Sequence, residues 1–397
     1  GKRFAILGRR VRAVTITDFL YARYRSDAVV VLCSAAILLF FAASMVAQFI
    51  GGARVFQAVT GYPYEAGLIL FGVTVVLYTA VGGFRAVAVT DALQGVVMLI
   101  ASVVILFAVV RAGGGMEQCI QTLKGMDPGL VSPSGAGDSI PAPMLFSFWI
   151  LVGLGILGLP QTTQRCFGYK NSKSMHDAMI MGTLIIGFLL LFMHLAGVLG
   201  RAVMPGLTSG DLIIPSLILE LLPPFWAGVF VAGPLAAIMS TVDTMLLLVS
   251  ASIIKDLYIR YRLKNDTSGI SAKKIGRMSF CCTLAAGVLV FCASFNPPDL
   301  LVWINLFAFG GLEAVFLWPV VLGMYWRRAN ATGAVWSMAA GVAVFMILSV
   351  CKVPLGGVHA IVPTCVVSLL AFWLGSLRGD PVPPEVTRMF WGEEEEA

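Results

Sequence analysis

An all-α protein that crosses a membrane many times is the fold class this sequence predicts, and three observations predict it. Of its 397 residues, 58% are hydrophobic and 12% charged, about half the charge of an ordinary soluble domain. Mean hydropathy is +0.90. Apolar runs recur, each near the roughly 20 residues a helix needs to cross a hydrocarbon core. These runs lack the dyad alternation over about 10 residues that marks barrel strands.

Taken in order, ten spans are expected at 28–50, 64–82, 86–110, 142–164, 178–203, 222–254, 277–295, 299–325, 332–351 and 358–377. Ahead of them, GKRFAILGRR is basic and weakly apolar, unlike a cleavable signal. Gly1 rather than Met opens the chain, so the start reads as a cut end. The stretch from Arg111 to Pro141 is a Gly-, Pro- and Ser-rich loop with room for a short surface helix. Residues 380–397 form a cytoplasmic tail whose WGEEEEA reads as a solvated acidic end.

Lys and Arg set the orientation, because positive residues stay on the cytoplasmic side. With the first residues inside, ten spans place 22 of the 27 basic residues inside. Arg54, Arg111, Lys124, Arg201 and Lys352 fall outside. The net charge of +6 is therefore a topology signal, and no basic face with interleaved aromatics points to nucleic acid. The eight cysteines are scattered and read as small buried hydrophobes. His176, His194 and His359 stand far apart, without zinc-type spacing. No nucleophile–base pair shares one membrane depth, which argues against an enzyme.

Polar residues at mid-membrane carry the functional signal. In AAIMSTVDTMLL, Ser240 lies roughly 24 Å past Pro224 and about 22 Å before Lys255 along a helix. Ala237, Ser240, Thr241 and Thr244 follow i, i+3, i+4, i+7 spacing and share one face. Neutral oxygens beside a small residue suit a hard monovalent cation such as sodium; the same hydroxyls can instead bond back to the carbonyl one turn earlier. Asp243 in the same run marks either an ion path or a buried charge pair. In NLFAFGGLEAVFLWP (Asn305 to Pro319), Glu313 is again near mid-depth, beside Gly310 and Gly311 and ahead of Pro319. That pattern suggests a helix opened along a cavity or a flexible packing helix. GLGILGLPQTTQR (Gly153 to Arg165) changes character at Pro160, as a broken helix freeing backbone groups for a ligand would, or as a helix with a polar cap. In GGFRAVAVTDALQG, Asp91 either pairs with Arg85 or stands on an ion exit route.

The Ser-Thr-x-Asp stripe followed by IIKDLY, with GGFRAVAVTDALQG and FGGLEAVFLWPVVLGMYWRR, resembles the sodium:solute symporter family. QFIGGAR, MHLAGVLGRAV and FGGLEAVFLWP are similar to bacterial members whose cargo is pantothenate. The resemblance implies a LeuT-type inverted-repeat transporter core, with about ten of about 13 helices present. Within a transmembrane domain at 1–379, residues 1–110 would end the first repeat, 142–325 form the second, and 332–377 add accessory helices. Three helices would precede Gly1, among them a broken helix lending carbonyls to sodium. The sodium site then maps in half: Ala237 through its carbonyl, Ser240 and Thr241 through hydroxyls. Asp91 matches the family's aspartate on the inner sodium path, with Asp243 and Thr244 beside it. Pro160 matches the substrate-side proline, and Gly158, Gln161, Asn305 and Glu313 join it as expected substrate-binding or gating residues. Val152 and Ile156 occupy the face where members selective for other solutes carry aromatics.

The implied activity is sodium-coupled import of pantothenate across the bacterial inner membrane, with both ends of this chain cytoplasmic. Sodium is the coupling ion and no further cofactor is implied. The bilayer is the only other partner expected, with no nucleic acid and no obligate protein. Alternatives are another cargo (proline, a carboxylic acid or a sugar) or a transporter-like sensor domain.

Overall fold

The computed structural model describes residues 1–169, 171–207, 209–264, 270–297 and 301–392. Two short helices, α1 (Lys2–Arg10) and α2 (Ile16–Tyr24), precede the first long one, α3 (Asp27–Thr60). α3 stops where Gly61 turns left-handed at φ 71°, a conformation glycine adopts without a Cβ penalty.

α4 (Tyr64–Ala112) covers both the second and third expected spans in 49 residues. A straight helix of that length would measure about 74 Å, more than twice a bilayer core. It reverses at Gly83, where φ is 62° and ψ −171°. The reversal is visible in its contacts: Tyr78 reaches Asp243, and Asp91 on the other arm reaches Thr244. The two arms are thus separate crossings joined by a turn only Gly-Gly-rich sequence permits. The loop after them holds α5 (Met116–Met126), which buries Cys119 and Leu123.

The fourth span is broken. α6 (Ala142–Phe148) passes through π-helical turns at Trp149–Leu154 into α7 (Gly155–Gly158), then stops at an extended Leu159. α8 (Pro160–Arg165) resumes at a 47° bend. Proline supplies no N–H and pushes its predecessor out of the helical region, so Pro160 breaks the span where it stands. There follow α9 (Ser172–Val203), α10 (Ile213–Leu221), α11 (Pro224–Phe230), α12 (Ala232–Ala251) continued by π turns to Arg262, α13 (Ala272–Ala293), α14 (Leu301–Tyr325), α15 (Ala331–Val350), α16 (Ile361–Arg378) and α17 (Pro384–Trp391). Among the described residues, eight helical runs are long and apolar enough to cross a membrane and the bent pair makes a ninth. Dividing α4 at Gly83 yields the ten expected crossings.

α14 and α3 form the centre. The apolar stretch of α14 is 67% buried and that of α3 56%, against 0% for α9, which lies on the outside. Close approach depends on small residues: a Cβ on Gly311 would sit 2.0 Å from the Phe40 ring. Gly333 and Gly375 bring α15 and α16 together in the same way. This is how membrane helices gain contact without a hydrophobic drive between them.

Two readings change. Of the eight cysteines, only Cys33, Cys119 and Cys365 are buried, while Cys281, Cys292 and Cys351 are exposed. An apolar side chain on the outside of a membrane helix meets lipid, so hydrophobicity alone does not place it inside. The 380–397 segment is more than a tail. α17 buries Val386 and Phe390, and Phe390 and Trp391 lie 5.6 and 5.0 Å from the Arg23 guanidinium. Arg23 in turn donates to the carbonyls of Gly323 (2.7 Å) and Trp326 (3.2 Å) at the end of α14, where helix carbonyls lack intrahelical donors. The run Glu393–Glu396 lies outside the described residues.

α2 is tied to the C-terminal end of the α12 run. Thr15 and Asp18 form a capping box, and Asp18 also binds Lys255 and, at 3.4 Å, Arg260. Burial pushes the Asp18 carboxyl up, but Lys255 and the backbone amides of Val14 and Thr15 outweigh it and hold the group below its ordinary value.

Candidate functional site

Three oxygens of α12 meet at the position expected for sodium. The Ser240 hydroxyl lies 3.1 Å and the Thr241 hydroxyl 3.0 Å from the Ala237 carbonyl oxygen, and each donates to it. Ala237, Ser240, Thr241 and Thr244 are all half-buried, so the stripe is not sealed inside the packed core. The back-bonding that the sequence left open is present. It spends each hydroxyl proton on the carbonyl and leaves the oxygen lone pairs free. The two hydroxyl oxygens offer part of a shell for a hard cation, and the carbonyl oxygen joins them once a hydroxyl turns its proton away.

One turn further in, the chain gathers two carboxylates. Asp243 is fully buried and its Oδ2 accepts a hydrogen bond from the Tyr78 hydroxyl at 2.8 Å. Asp91 pairs with Arg165 at 2.8 Å, not with Arg85. Arg165 also donates to the Thr244 hydroxyl at 2.9 Å, and Thr244 lies 3.5 Å from both Asp91 and Asp243. Asp91 Oδ1 and Gln94 Oε1 are buried without a hydrogen-bond partner among the described residues. Two carboxylates thus gather about one guanidinium, one of them fully buried. Such an imbalance favours a further cation.

Glu313 lies elsewhere. It is 1% exposed, its Oε1 accepts a weak bond from the Cys365 thiol at 3.8 Å, and its Oε2 has no partner among the described residues. The broken span covers it: a Cβ on Gly155 would lie 3.1 Å from Oε2, and one on Gly158 would lie 3.0 Å from the Leu317 nitrogen and 3.3 Å from the Glu313 Cα. Gly158 therefore sets how closely α7 approaches α14. Asn305, further out on α14, accepts from Ser44 at 3.1 Å and Gln48 at 3.3 Å on α3. Pro160 begins α8, and Gln161 beside it keeps a buried side-chain oxygen without a partner among the described residues.

The expected residues form groups of different character. Ala237, Ser240 and Thr241 cluster, Asp91, Asp243 and Thr244 cluster about one turn further along α12, and Glu313 is held by other helices. Sequence reasoning missed Tyr78, Arg165, Ser44, Gln48 and Cys365. Arg165 carried a signal, as the sole basic residue of the broken span. Tyr78 carried none, since only the packing of α4 against α12 brings it to Asp243, 165 positions away.

This chain matches the model of the sodium:solute symporter family over residues 1–341. It is 50% identical over 386 residues to the sodium/pantothenate symporter of Escherichia coli, covering 96% of this chain and 79% of that one. The sodium/pantothenate symporter of Haemophilus influenzae is 44% identical, over 96% of this chain and 78% of its own. The osmoregulated proline transporter of Bacillus subtilis is 29% identical over 90% of this chain and 73% of its own. In solved structures, a sodium-coupled sialic acid symporter in a substrate-bound outward-open state superposes with a TM-score of 0.77 at 18% identity, covering 96% of this chain and 80% of that one. The fold is the LeuT type.

Proposed function

The chain belongs to the sodium:solute symporter family, and we propose that its cargo is pantothenate, imported with sodium across the bacterial inner membrane. It is a multi-pass membrane protein and a secondary transporter, not an enzyme. The observation that carries the cargo is 50% identity, along 96% of the chain, to a sodium/pantothenate symporter. The excess of Lys and Arg on one side supports cytoplasmic ends.

In this reading sodium rests against the Ala237 carbonyl and the Ser240 and Thr241 hydroxyls. It then passes Thr244, Asp243 and Asp91 toward the cytoplasm. Each entering sodium contributes roughly 2.3 kcal/mol per 100 mV of membrane potential. Coupling requires that ion and cargo stabilise the same state. Residues 1–110 and 142–325 are the end of the first repeat and the second repeat, which rock against each other. Residues 332–377 are accessory. The bend at Leu159–Pro160 lets the inner half of the fourth span move apart from the outer half. Gly158, Pro160, Gln161 and Asn305 are assigned to the cargo path. Glu313, packed under Gly155, serves as a gate that couples α7 to α14.

Uptake of labelled pantothenate into cells expressing the protein, challenged with an excess of unlabelled solutes, tests the cargo. Competition by pantothenate alone is expected. Equal competition by proline, a simple carboxylic acid or a sugar would reassign it.

A further inference from the structure

The inner half of the broken span brings a cation of its own to the acidic cluster. Arg165 ends α8, and its Nη2 bridges Asp91 Oδ2 at 2.8 Å and Thr244 Oγ1 at 2.9 Å. One nitrogen therefore joins α8, the second arm of α4, and α12. The partners differ in access: the Arg165 side chain is 58% exposed and that of Asp91 16%. The guanidinium reaches a nearly buried carboxylate from an open side, and it can withdraw the same way. The second Asp91 oxygen and the Gln94 carbonyl oxygen remain buried and unpartnered among the described residues. Asp243, beside them, is fully buried.

We propose that Arg165 is a positioning residue that competes with sodium for Asp91 and Thr244, docking the inner half of the broken span as the ion leaves. This rests on the reading of Asp91, Asp243 and Thr244 as the sodium path. Sodium and a guanidinium cannot share Asp91 Oδ2 and Thr244 Oγ1, because two like charges would then stand in contact away from bulk water. When sodium is present, Arg165 is displaced and α8 is free of α4 and α12. When sodium departs, the unpaired carboxylate recaptures its tethered partner, whose effective concentration is in the millimolar range or above. Recapture prevents the ion from rebinding from the cytoplasm. It also covers a charge that would otherwise hinder the empty protein from reorienting.

The test uses the full-length protein in proteoliposomes, with Arg165→Gln and Arg165→Lys beside wild type. Three quantities are read: the sodium concentration for half-maximal uptake, the maximal net uptake rate, and exchange of labelled for unlabelled pantothenate with equal sodium on both sides. Exchange bypasses return of the empty protein, so a device for ion release separates it from net uptake. Arg165→Gln should lower the half-maximal sodium concentration by about two- to fivefold, the range a part-exposed charge pair supplies. It should depress net uptake far more than exchange, and Arg165→Lys should fall between. An unchanged or raised sodium requirement overturns the proposal. So does exchange that falls in step with net uptake, which makes Arg165 a structural partner of Asp91. Wild-type uptake indifferent to sodium would instead sink the ion path itself, and this proposal with it.

Discussion

Replacing Thr241 by Val keeps the branched shape of the side chain and removes one oxygen. In the protein that hydroxyl donates to the Ala237 carbonyl at 3.0 Å from a half-buried position. Its loss forfeits only a local back-bond to the same helix, so folding and abundance should change little. The bound state loses more. A polar contact to a charged group is worth about 1.5–3 kcal/mol. At a half-buried site the lower end applies, which is about tenfold in affinity. Ser240→Ala should act alike. The double variant should raise the half-maximal sodium concentration between about tenfold and a hundredfold, since neighbouring contacts do not add simply. Thr183 supplies the control: its hydroxyl makes the same kind of bond, to the Met179 carbonyl at 2.8 Å, on the outer helix α9. Initial uptake rates as a function of sodium, normalised to protein in the membrane, read the difference. If Thr241→Val and Thr183→Val both stay within about twofold of wild type, the α12 oxygens do not hold sodium, and the back-bonds are only structural.

Asp91→Asn removes the charge that faces Arg165 and should slow net uptake at saturating sodium while leaving protein abundance intact; unaltered kinetics would make Asp91 a packing residue. Gly158→Val places carbon atoms against the Leu317 backbone, where a Cβ already comes within 3.0 Å. Overpacking of that kind costs about 1–3 kcal/mol, so the thermal midpoint in detergent should fall, whereas Gly153→Ala, which meets nothing within 4 Å, should not move it. Asp18 is held below the ordinary carboxylate value of 3.8 by Lys255 and two amides against the upward push of burial. Its contribution to docking α2 is therefore complete above that value and is lost as pH falls through the lower folded value. Protease cleavage near α2 should rise only in that acidic range for wild type, and at every pH for Asp18→Asn.

The ten crossings and the broken fourth span were legible because apolar length and a mid-span proline act locally. The hydroxyl stripe was legible because helical spacing alone puts Ala237, Ser240 and Thr241 on one face. Partners across the bundle were not. Asp91 has Arg85 nearby in sequence, yet the two share one helical arm at i, i+6 spacing, which does not make them neighbours, and packing brings Asp91 to Arg165, 74 positions away. Glu313 reads as mid-membrane from its spacing, but nothing local reveals that Gly155 covers it or that Cys365 supplies its only donor among the described residues. The α17 contact with Arg23 was hidden for the opposite reason. A short segment beside an acidic run looks solvated until its Val386 and Phe390 find a buried surface.

Sodium as the driving ion is the claim on which the rest depends. The direct measurement is accumulation of labelled pantothenate by proteoliposomes of the full-length protein, under an inward sodium gradient and under an equal potassium gradient, with the membrane potential clamped to the same value. Accumulation above equilibrium with sodium and none with potassium is the predicted result. Equal accumulation in both would contradict it.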